Sequence, residues 1–268
     1  MGAPLGHREV RPPAVAGSFY AANPQRLAAD VAGLLATVPP RPGAPPKALI
    51  APHAGYIYSG AVAAAAFARL RGRASAIARV VVIGPAHYVP VSGIAVPGAD
   101  AFATPLGRVP VDRDALAAID NLAGVIEADA PHAPEHALEV ELPFLQTVLG
   151  SFRLVPLLVG DAQPRAVADV LEAVWGEADT LLVVSSDLSH YHDYDTARRR
   201  DGATAAAIER HDWGSLGPND ACGFLPLAGL LMQVERRELH VERLALCNSG
   251  DTAGPRDRVV GYGAWAIG

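Results

Sequence analysis

The chain has 268 residues, of which 50% are hydrophobic and 19% are charged, proportions typical of a globular protein with a large core. Its formal net charge of −6 argues against a basic surface that would recruit nucleic acid or anionic lipid. Its two cysteines, Cys222 and Cys247, are too few for a disulfide scaffold.

The N-terminal residues show no cationic start followed by an apolar core, so they do not have the pattern of a secretory signal. The longest apolar run, AVAAAAFA at 61–68, is far shorter than the roughly 20 residues that a membrane span needs. These features predict a soluble cytoplasmic protein that associates with neither a membrane nor nucleic acid.

Short apolar strands alternate along the chain with helical stretches rich in alanine and leucine. The predicted strands are 47–51, 80–84, 92–97, 153–159, 180–185, 241–247 and 258–267. The predicted helices are 23–38, 58–72, 111–121, 164–176, 195–212 and 223–237. The first helix begins with Asn23 as its cap and Pro24 at its first helical position, which is a strong start signal.

Strands 80–84, 153–159 and 181–185 are apolar throughout, as expected for a sheet that is covered on both faces. The strand–helix alternation predicts an α/β fold, a sandwich with a mainly parallel but mixed central sheet flanked by helices. The stretch 38–47 is rich in proline and glycine, but it lies too near the N-terminus to separate two domains. We therefore predict one domain over residues 1–268.

Three histidines, His53, His87 and His190, each follow a predicted strand by two to five residues. In open parallel sheets, ligands bind outside the carboxyl ends of the strands, where the connecting loops converge. Each histidine taken alone could simply bond a backbone group of its loop. All three together indicate one pocket that binds a metal or transfers protons.

Two further residues bear on that pocket. Asp187 lies three residues before His190, where a carboxylate could fix the imidazole tautomer and raise its basicity, although Asp187 could instead cap the following turn. Cys222 immediately precedes an apolar helix, and a thiol at a helix N-terminus is more readily a thiolate, the form that binds metal. The alternative for Cys222 is a small buried apolar side chain. Cys247 ends a predicted strand and is interpreted as structural.

The segment 131–144, PHAPEHALEVELPF, carries several histidines and acids, but its periodicity fits neither a helix nor a strand clearly. Spacing alone assigns no ligand here. The sequence has no G-x-S-x-G elbow, no Walker A motif and neither H-E-x-x-H nor C-x-x-C, so it lacks the signatures of common hydrolases, nucleotide-binding proteins and zinc proteins.

Five ordered blocks resemble the Memo family, also called AmmeMemoRadiSam system protein B. They are APHAGYIYSG, IGPAHYVP, EHALEVELPF, VVSSDLSHY and CGFLPLAGLL, and the resemblance extends from about residue 10 to the end. The fold of that family is similar to that of the class III extradiol dioxygenases, which hold non-haem Fe(II) with two histidines and a carboxylate. The resemblance therefore implies this fold.

The resemblance also implies roles for individual residues. It makes His53 and His87 the two histidine ligands, places Cys222 where the dioxygenases have a carboxylate ligand, and makes His190 the acid/base histidine. Asp187, His136 and Glu139 would line the same pocket. Tyr56 and Tyr191, each close in sequence to a site histidine, could add hydroxyls or could form apolar wall.

The function expected from this resemblance is that of a metal-dependent oxidoreductase, with non-haem iron (Fe²⁺) as the expected cofactor and copper or zinc as alternatives. A second hypothesis is a non-catalytic pocket in a component that works beside a radical-SAM protein and an AMMECR1-like protein; in eukaryotic relatives the pocket is linked to phosphotyrosine-type peptides. A third is zinc-dependent hydrolysis with His190 or Glu139 as the base. The expected ligand is an unidentified small molecule, and the chain could form a homo-oligomer.

Overall fold

The structure, a computed structural model, describes residues 10–41, 43–72 and 76–268. The strands are β1 (Val10–Arg11), β2 (Ala48–Ala51), β3 (Arg79–Pro85), β4 (Ile94–Val96), β5 (Ala101–Thr104), β6 (Gly107–Pro110), β7 (Val125–Glu127), β8 (Arg153–Val159), β9 (Thr180–Ser185), β10 (His190–His192), β11 (Val241–Asn248) and β12 (Val259–Ile267). The helices are α1 (Pro24–Ala36), α2 (Tyr56–Phe67), α3 (Arg113–Ala117), α4 (Asp129–His132), α5 (Leu142–Leu149), α6 (Pro164–Ala173), α7 (Tyr194–Glu209) and α8 (Phe224–Arg236).

The large sheet is mixed, as predicted, and has the strand order β10-β12-β2-β9-β3-β8-β4-β7, with β11 also paired to β12. Its central strands β2, β9, β3 and β8 are parallel, with Val184 in register with Ile50 on one side and Ile83 on the other. The pairs β12–β2 and β4–β8 are antiparallel. The protein thus has a mixed α/β fold with a parallel centre.

The central strands form because their apolar runs are covered on both faces. Every residue of β9 is buried, and α8 packs against β9 and β3 while α2 packs against β2, β11 and β12. Helices α6 and α8 approach closely at Gly229, where a Cβ atom would lie 2.4 Å from a side-chain methyl of Val167. The predicted start of α1 is confirmed, since the Asn23 side chain accepts a hydrogen bond from the Arg26 N–H.

A second, smaller sheet has the order β1-β5-β6 and was not predicted. Strands β5 and β6 form a hairpin, and the two-residue strand β1 pairs in parallel with β5. Strand β1 is too short to carry a periodic pattern, and its pairing is remote in sequence. This sheet holds the start of the described chain beside the segment 131–144.

The ambiguous segment 131–144 has no single regular structure: α4 ends at His132, and residues 133–138 lie outside helices and strands. A 3₁₀ turn at Glu139–Glu141 leads into α5, and Pro143 stands in the first turn of that helix, where its missing N–H is tolerated. The predicted helix 111–121 shortens to α3. Within the three described ranges, no helix combines the length and apolar character that crossing a bilayer requires.

Candidate metal centre

Strands β2, β9 and β3 are adjacent and parallel, so their carboxyl ends lie at the same edge of the sheet. His53, Asp187 and His87 each follow one of these strands by two residues. The predicted convergence of the histidine loops at one edge is thereby explained by the order of the strands.

We call His53, His87 and His136 the histidine cluster. One ring nitrogen from each lies within 4.8 Å of the corresponding atoms of the other two. The ring centroids of His87 and His136 are 4.8 Å apart, and those of His53 are 5.1 and 5.2 Å from the other two rings. Three imidazole nitrogens this close are a donor set suited to one transition-metal ion.

His53 is buried, and its ring is held from behind. Its Nδ1 lies 2.8 Å from Ser185 Oγ, and its backbone N–H donates to Asp187 Oδ1 at 2.9 Å. Burial lowers the pKa of His53 well below its usual value, and the neighbouring His136 and His87 lower it further. His53 is therefore a neutral imidazole, the form that binds metal.

His87 is held by Glu135, a residue to which the sequence analysis assigned no role. Its Nδ1 lies 2.8 Å from Glu135 Oε1, and its backbone N–H donates to Oε2 at 2.6 Å. Burial opposes ionisation of Glu135, but the nearby His136 ring and the hydrogen bonds from His87 hold the pKa of Glu135 well below its usual value. An ionised carboxylate on Nδ1 fixes the Nδ1–H tautomer and leaves Nε2 of His87 with its lone pair.

His136 has a buried nitrogen without a hydrogen bond. Its Nδ1 lies 3.2 Å from Glu135 Oε1 but makes no aligned hydrogen bond within the described part of the chain. The ring is wedged beside Phe19 and Tyr88, with centroid distances of 4.8 and 5.6 Å. This nitrogen faces the Glu135 carboxylate, so the same acid lies beside both His87 and His136.

Cys222 adjoins the cluster, with Sγ 3.3 Å from His53 Nε2. The start of α8 comes this close to β9 because residue 223 is glycine, whose Cβ would lie 2.7 Å from Ser186. The expectation that the pKa of the Cys222 thiol is lowered is wrong for the metal-free protein. Burial raises the pKa of Cys222 to about 12, and the Asp187 charge adds to that effect. Cys222 is thus a thiol that would lose its proton on binding a metal.

Asp187 and His190 lie on the wall of the same cavity but are not partners. Asp187 accepts the backbone N–H of His53, and within the described residues it makes no hydrogen bond to the His190 ring. The expectation that Asp187 orients His190 is therefore corrected. Burial raises the pKa of Asp187 to about 7, against the opposing hydrogen bonds of His53 and Ala54, and burial lowers the pKa of His190.

The cavity over the cluster has a volume of about 560 Å³, within the usual range for small-molecule sites. It is lined by the three cluster histidines together with Asp187 and His190. Its rim carries large exposed apolar side chains: Ile57, Tyr58, Tyr88 and Tyr191. The placement of Tyr191 beside the site thus agrees with the structure, while Tyr58 and Tyr88 were missed.

Tyr56 and Glu139 were also expected in the pocket, and the structure places them elsewhere. Tyr56 donates to the Val140 carbonyl at 2.7 Å and packs its ring against Tyr20 and Phe144. Glu139 is buried, pairs with Arg11 and accepts from the Tyr20 hydroxyl. Both expectations are corrected. The Tyr56 side chain faces the core, and the Glu139 side chain faces the start of the described chain.

Glu139 also accepts the backbone N–H groups of Ala14 and Val15, at 2.7 and 3.1 Å. We call the set of Arg11, Tyr20 and Glu139 the N-terminal anchor. Spacing along the chain does not distinguish this acid from Glu135, which contacts His87, or from Glu141, which contacts Ser185. The available signal was the presence of three acids in one otherwise apolar stretch, a pattern that requires a buried partner for each.

The Memo-like protein family model matches residues 11–266. A MEMO1 family protein of Sulfolobus acidocaldarius is 32% identical over 277 residues, covering 94% of this chain and 97% of the relative. One from Ignicoccus hospitalis is 36% identical over 282 residues, covering 95% and 97%. One from Thermotoga neapolitana is 34% identical over 274 residues, covering 94% and 98%.

The fold is also similar to a crystal structure of an uncharacterized protein from Escherichia coli K12. The TM-score is 0.50 at 15% sequence identity, and the match covers 82% of this chain and 99% of that chain. That likeness concerns the fold alone. The family match spans nearly the whole chain, and the chain belongs to the family of Memo-like proteins.

Proposed function

We propose that the protein is a metal-dependent oxidoreductase whose ion, iron or copper, is held by His53, His87 and Cys222, with His136 as a further donor. The observation that carries the proposal is the histidine cluster, whose ring nitrogens lie within 4.8 Å of one another. Glu135 contacts Nδ1 of His87, and the Ser185 hydroxyl contacts Nδ1 of His53. Hydrogen bonds of this kind usually orient metal-binding imidazoles.

The chemistry of the donors favours a transition metal. Imidazole and thiol groups suit iron, copper and zinc, whereas magnesium and calcium prefer sites made of oxygen atoms. Iron or copper bound here would supply Lewis acidity and one-electron redox chemistry to a ligand in the cavity.

Two residues of the cavity wall would handle protons. His190 is neutral near pH 7 because burial lowers its pKa, so it would accept a proton from a bound ligand. Asp187, with its pKa raised to about 7 by burial, would hold or release a proton near neutral pH. The two would act separately, since they do not contact each other through a hydrogen bond.

The test is the metal content of protein purified without oxygen, measured by mass spectrometry. Near-stoichiometric iron or copper in the wild type, lost in His87→Ala and Cys222→Ala, is the expected result. Cys247→Ala is the matched control, because Cys247 is the other free cysteine and lies on β11. No bound metal after incubation with Fe(II), Cu(I) or Zn(II) would contradict the proposal.

Activity is tested on the loaded protein by oxygen consumption or turnover of a reductant. His190→Gln should retain the metal and lose at least about tenfold in rate, since general acid–base groups typically contribute 100-fold or more. Metal binding with hydrolysis that needs no oxygen would favour the zinc alternative instead. In that alternative His190 would be the base, because Glu139 is buried and paired with Arg11.

A second candidate function is binding without catalysis, and the apolar rim of the cavity favours it. Ile57, Tyr88 and Tyr191 have 70%, 54% and 62% of their surface exposed, and such patches commonly contact partners. A radical-SAM protein and an AMMECR1-like protein are the proposed partners. This candidate predicts that partner affinity survives removal of the metal, and loss of affinity in folded metal-free protein would contradict it.

A further inference from the structure

Glu141 is a carboxyl group buried behind the histidine cluster. It has no exposed surface, its Oε1 lies 2.8 Å from Ser185 Oγ, and its Oε2 has no hydrogen-bond partner within the described residues. An ionised carboxylate in this position would be buried with no cation among the described residues to pair with it, which is strongly unfavourable.

The Ser185 hydroxyl has a single hydrogen, which determines which of its neighbours must donate to it. Its Oγ lies 2.6 Å from the Ala137 carbonyl, 2.8 Å from Glu141 Oε1 and 2.8 Å from His53 Nδ1. A serine hydroxyl has one hydrogen and can accept two hydrogen bonds. The Ala137 carbonyl can only accept, so it takes the serine hydrogen. The other two contacts must therefore donate to Ser185.

We propose that Glu141 is a neutral carboxylic acid that donates to Ser185, and that this chain of hydrogen bonds holds His53 in its Nδ1–H tautomer. Glu141 is then a positioning residue that acts on the metal centre through Ser185. Nε2 of His53 keeps its lone pair and faces the site. The consequence for metal affinity rests on the proposed function; the protonation state of Glu141 and the tautomer do not.

Two further observations agree with this assignment. Burial raises the pKa of Glu141 well above its usual value, and the charge of Asp187 raises it further. Cys222 Sγ lies 3.3 Å from His53 Nε2 and 3.6 Å from the Asp187 carbonyl, so its one hydrogen has two acceptors within reach and the contact with Nε2 is compatible with this tautomer.

The first test uses the metal-free protein and infrared spectroscopy. The difference spectrum of wild type minus Glu141→Gln at neutral pH should contain the carbonyl band of one protonated carboxylic acid. Asp187 is present in both proteins, so its bands cancel. A difference spectrum that contains only carboxylate bands would overturn the proposal.

The second test reads the His53 tautomer by nitrogen NMR of the metal-free protein labelled at histidine, with His53→Asn assigning the signals. Wild type and Glu141→Gln, whose amide can donate the same hydrogen bond, should show protonated Nδ1. Ser185→Ala and Glu141→Leu should lose this preference. Protonated Nε2 in the wild type would overturn the proposal.

The third test measures the dissociation constant for Zn²⁺. We expect about a tenfold loss or more for Ser185→Ala and Glu141→Leu, and less than about threefold for Glu141→Gln, since outer hydrogen-bond partners typically affect affinity 10- to 100-fold. Zinc binding together with an ionised Glu141 would refute the positioning inference and leave the proposed function intact. A neutral Glu141 and the Nδ1–H tautomer in a protein that binds no zinc would contradict the proposed function and leave the assigned protonation state and tautomer intact.

Discussion

Segment 131–144 places one buried acid, Glu135, beside the histidine cluster and another, Glu139, in the N-terminal anchor. The surroundings of these two acids differ. In the anchor, Glu139 is neutralised by Arg11 and accepts from the Tyr20 hydroxyl and two backbone N–H groups. Beside the cluster, Glu135 accepts from His87, while one ring nitrogen from each cluster histidine lies within 4.8 Å of the others at a cavity. Buried charge whose bonds are complete supports a fold, whereas donor atoms that converge at a cavity mark a place for a ligand.

Removal of the Glu139 carboxylate from the N-terminal anchor should lower the free energy of unfolding more than any other change considered. Glu139→Ala leaves Arg11 buried without its partner, and we expect it to lower the free energy of unfolding by about 3–5 kcal/mol. Urea denaturation of metal-free protein measures the change. Glu172→Ala removes an exposed acid paired with Arg237 and should cost less than about 1 kcal/mol. Equal losses in the two variants would contradict the structural role of Glu139.

Acid should weaken the anchor through His132, whose backbone carbonyl accepts from Arg11. Burial lowers the pKa of His132 to about 4, whereas an exposed histidine has a pKa of about 6.5. Between these values the unfolded chain binds a proton that the folded chain does not, so the free energy of unfolding falls as the pH falls. The loss is about 3 kcal/mol in total, since one pKa unit is about 1.4 kcal/mol.

Urea denaturation of metal-free protein at several pH values measures this dependence. His132→Gln does not titrate and can still donate to the Ala95 carbonyl that His132 contacts at 3.1 Å. We expect the variant to lose less stability than the wild type between pH 7 and pH 4. An identical pH dependence in the two proteins would show that His132 is not buried as a neutral ring.

Metal should stabilise the cluster and leave the anchor unchanged. Zn²⁺ at 100 times its dissociation constant should raise the free energy of unfolding of the wild type by about 2.7 kcal/mol, because it binds the folded state. His87→Ala should show a much smaller increase, and Cys247→Ala should behave as the wild type. A rise of the same size in His87→Ala would place the metal outside the cluster.

Glu135 and Glu139 should differ in their effect on metal binding, by less free energy than in the changes above. Glu135→Gln weakens the support behind His87 and should raise the dissociation constant for Zn²⁺ about 10- to 100-fold. Glu139→Gln should leave that constant nearly unchanged in the protein that remains folded. Isothermal titration calorimetry compares the two, and equal effects would mean that the two regions are not separate.

The apolar runs of β2, β3 and β9 made the sheet and the positions of His53 and His87 predictable, because those runs occur only where both faces are covered. The start of α1 was predictable for a local reason, the cap at Asn23. These features depend on residues close together in the sequence.

The missed features depend on contacts between distant residues. The partners of Glu135, Glu139 and Glu141 depend on how the segment 131–144 packs against distant residues. The apolar–polar pattern of that segment does not indicate this packing. The raised pKa of Cys222 depends on burial rather than on its place before α8. Asp187 turns toward the backbone of His53 instead of His190, which spacing along the chain could not reveal.

X-ray absorption spectroscopy of the iron- or copper-loaded protein shows whether the histidine cluster binds a transition-metal ion, because it identifies the atoms bound to the metal. We predict imidazole nitrogens together with one sulfur, and loss of the sulfur contribution in Cys222→Ala. A metal surrounded only by oxygen atoms would contradict binding by the histidine cluster.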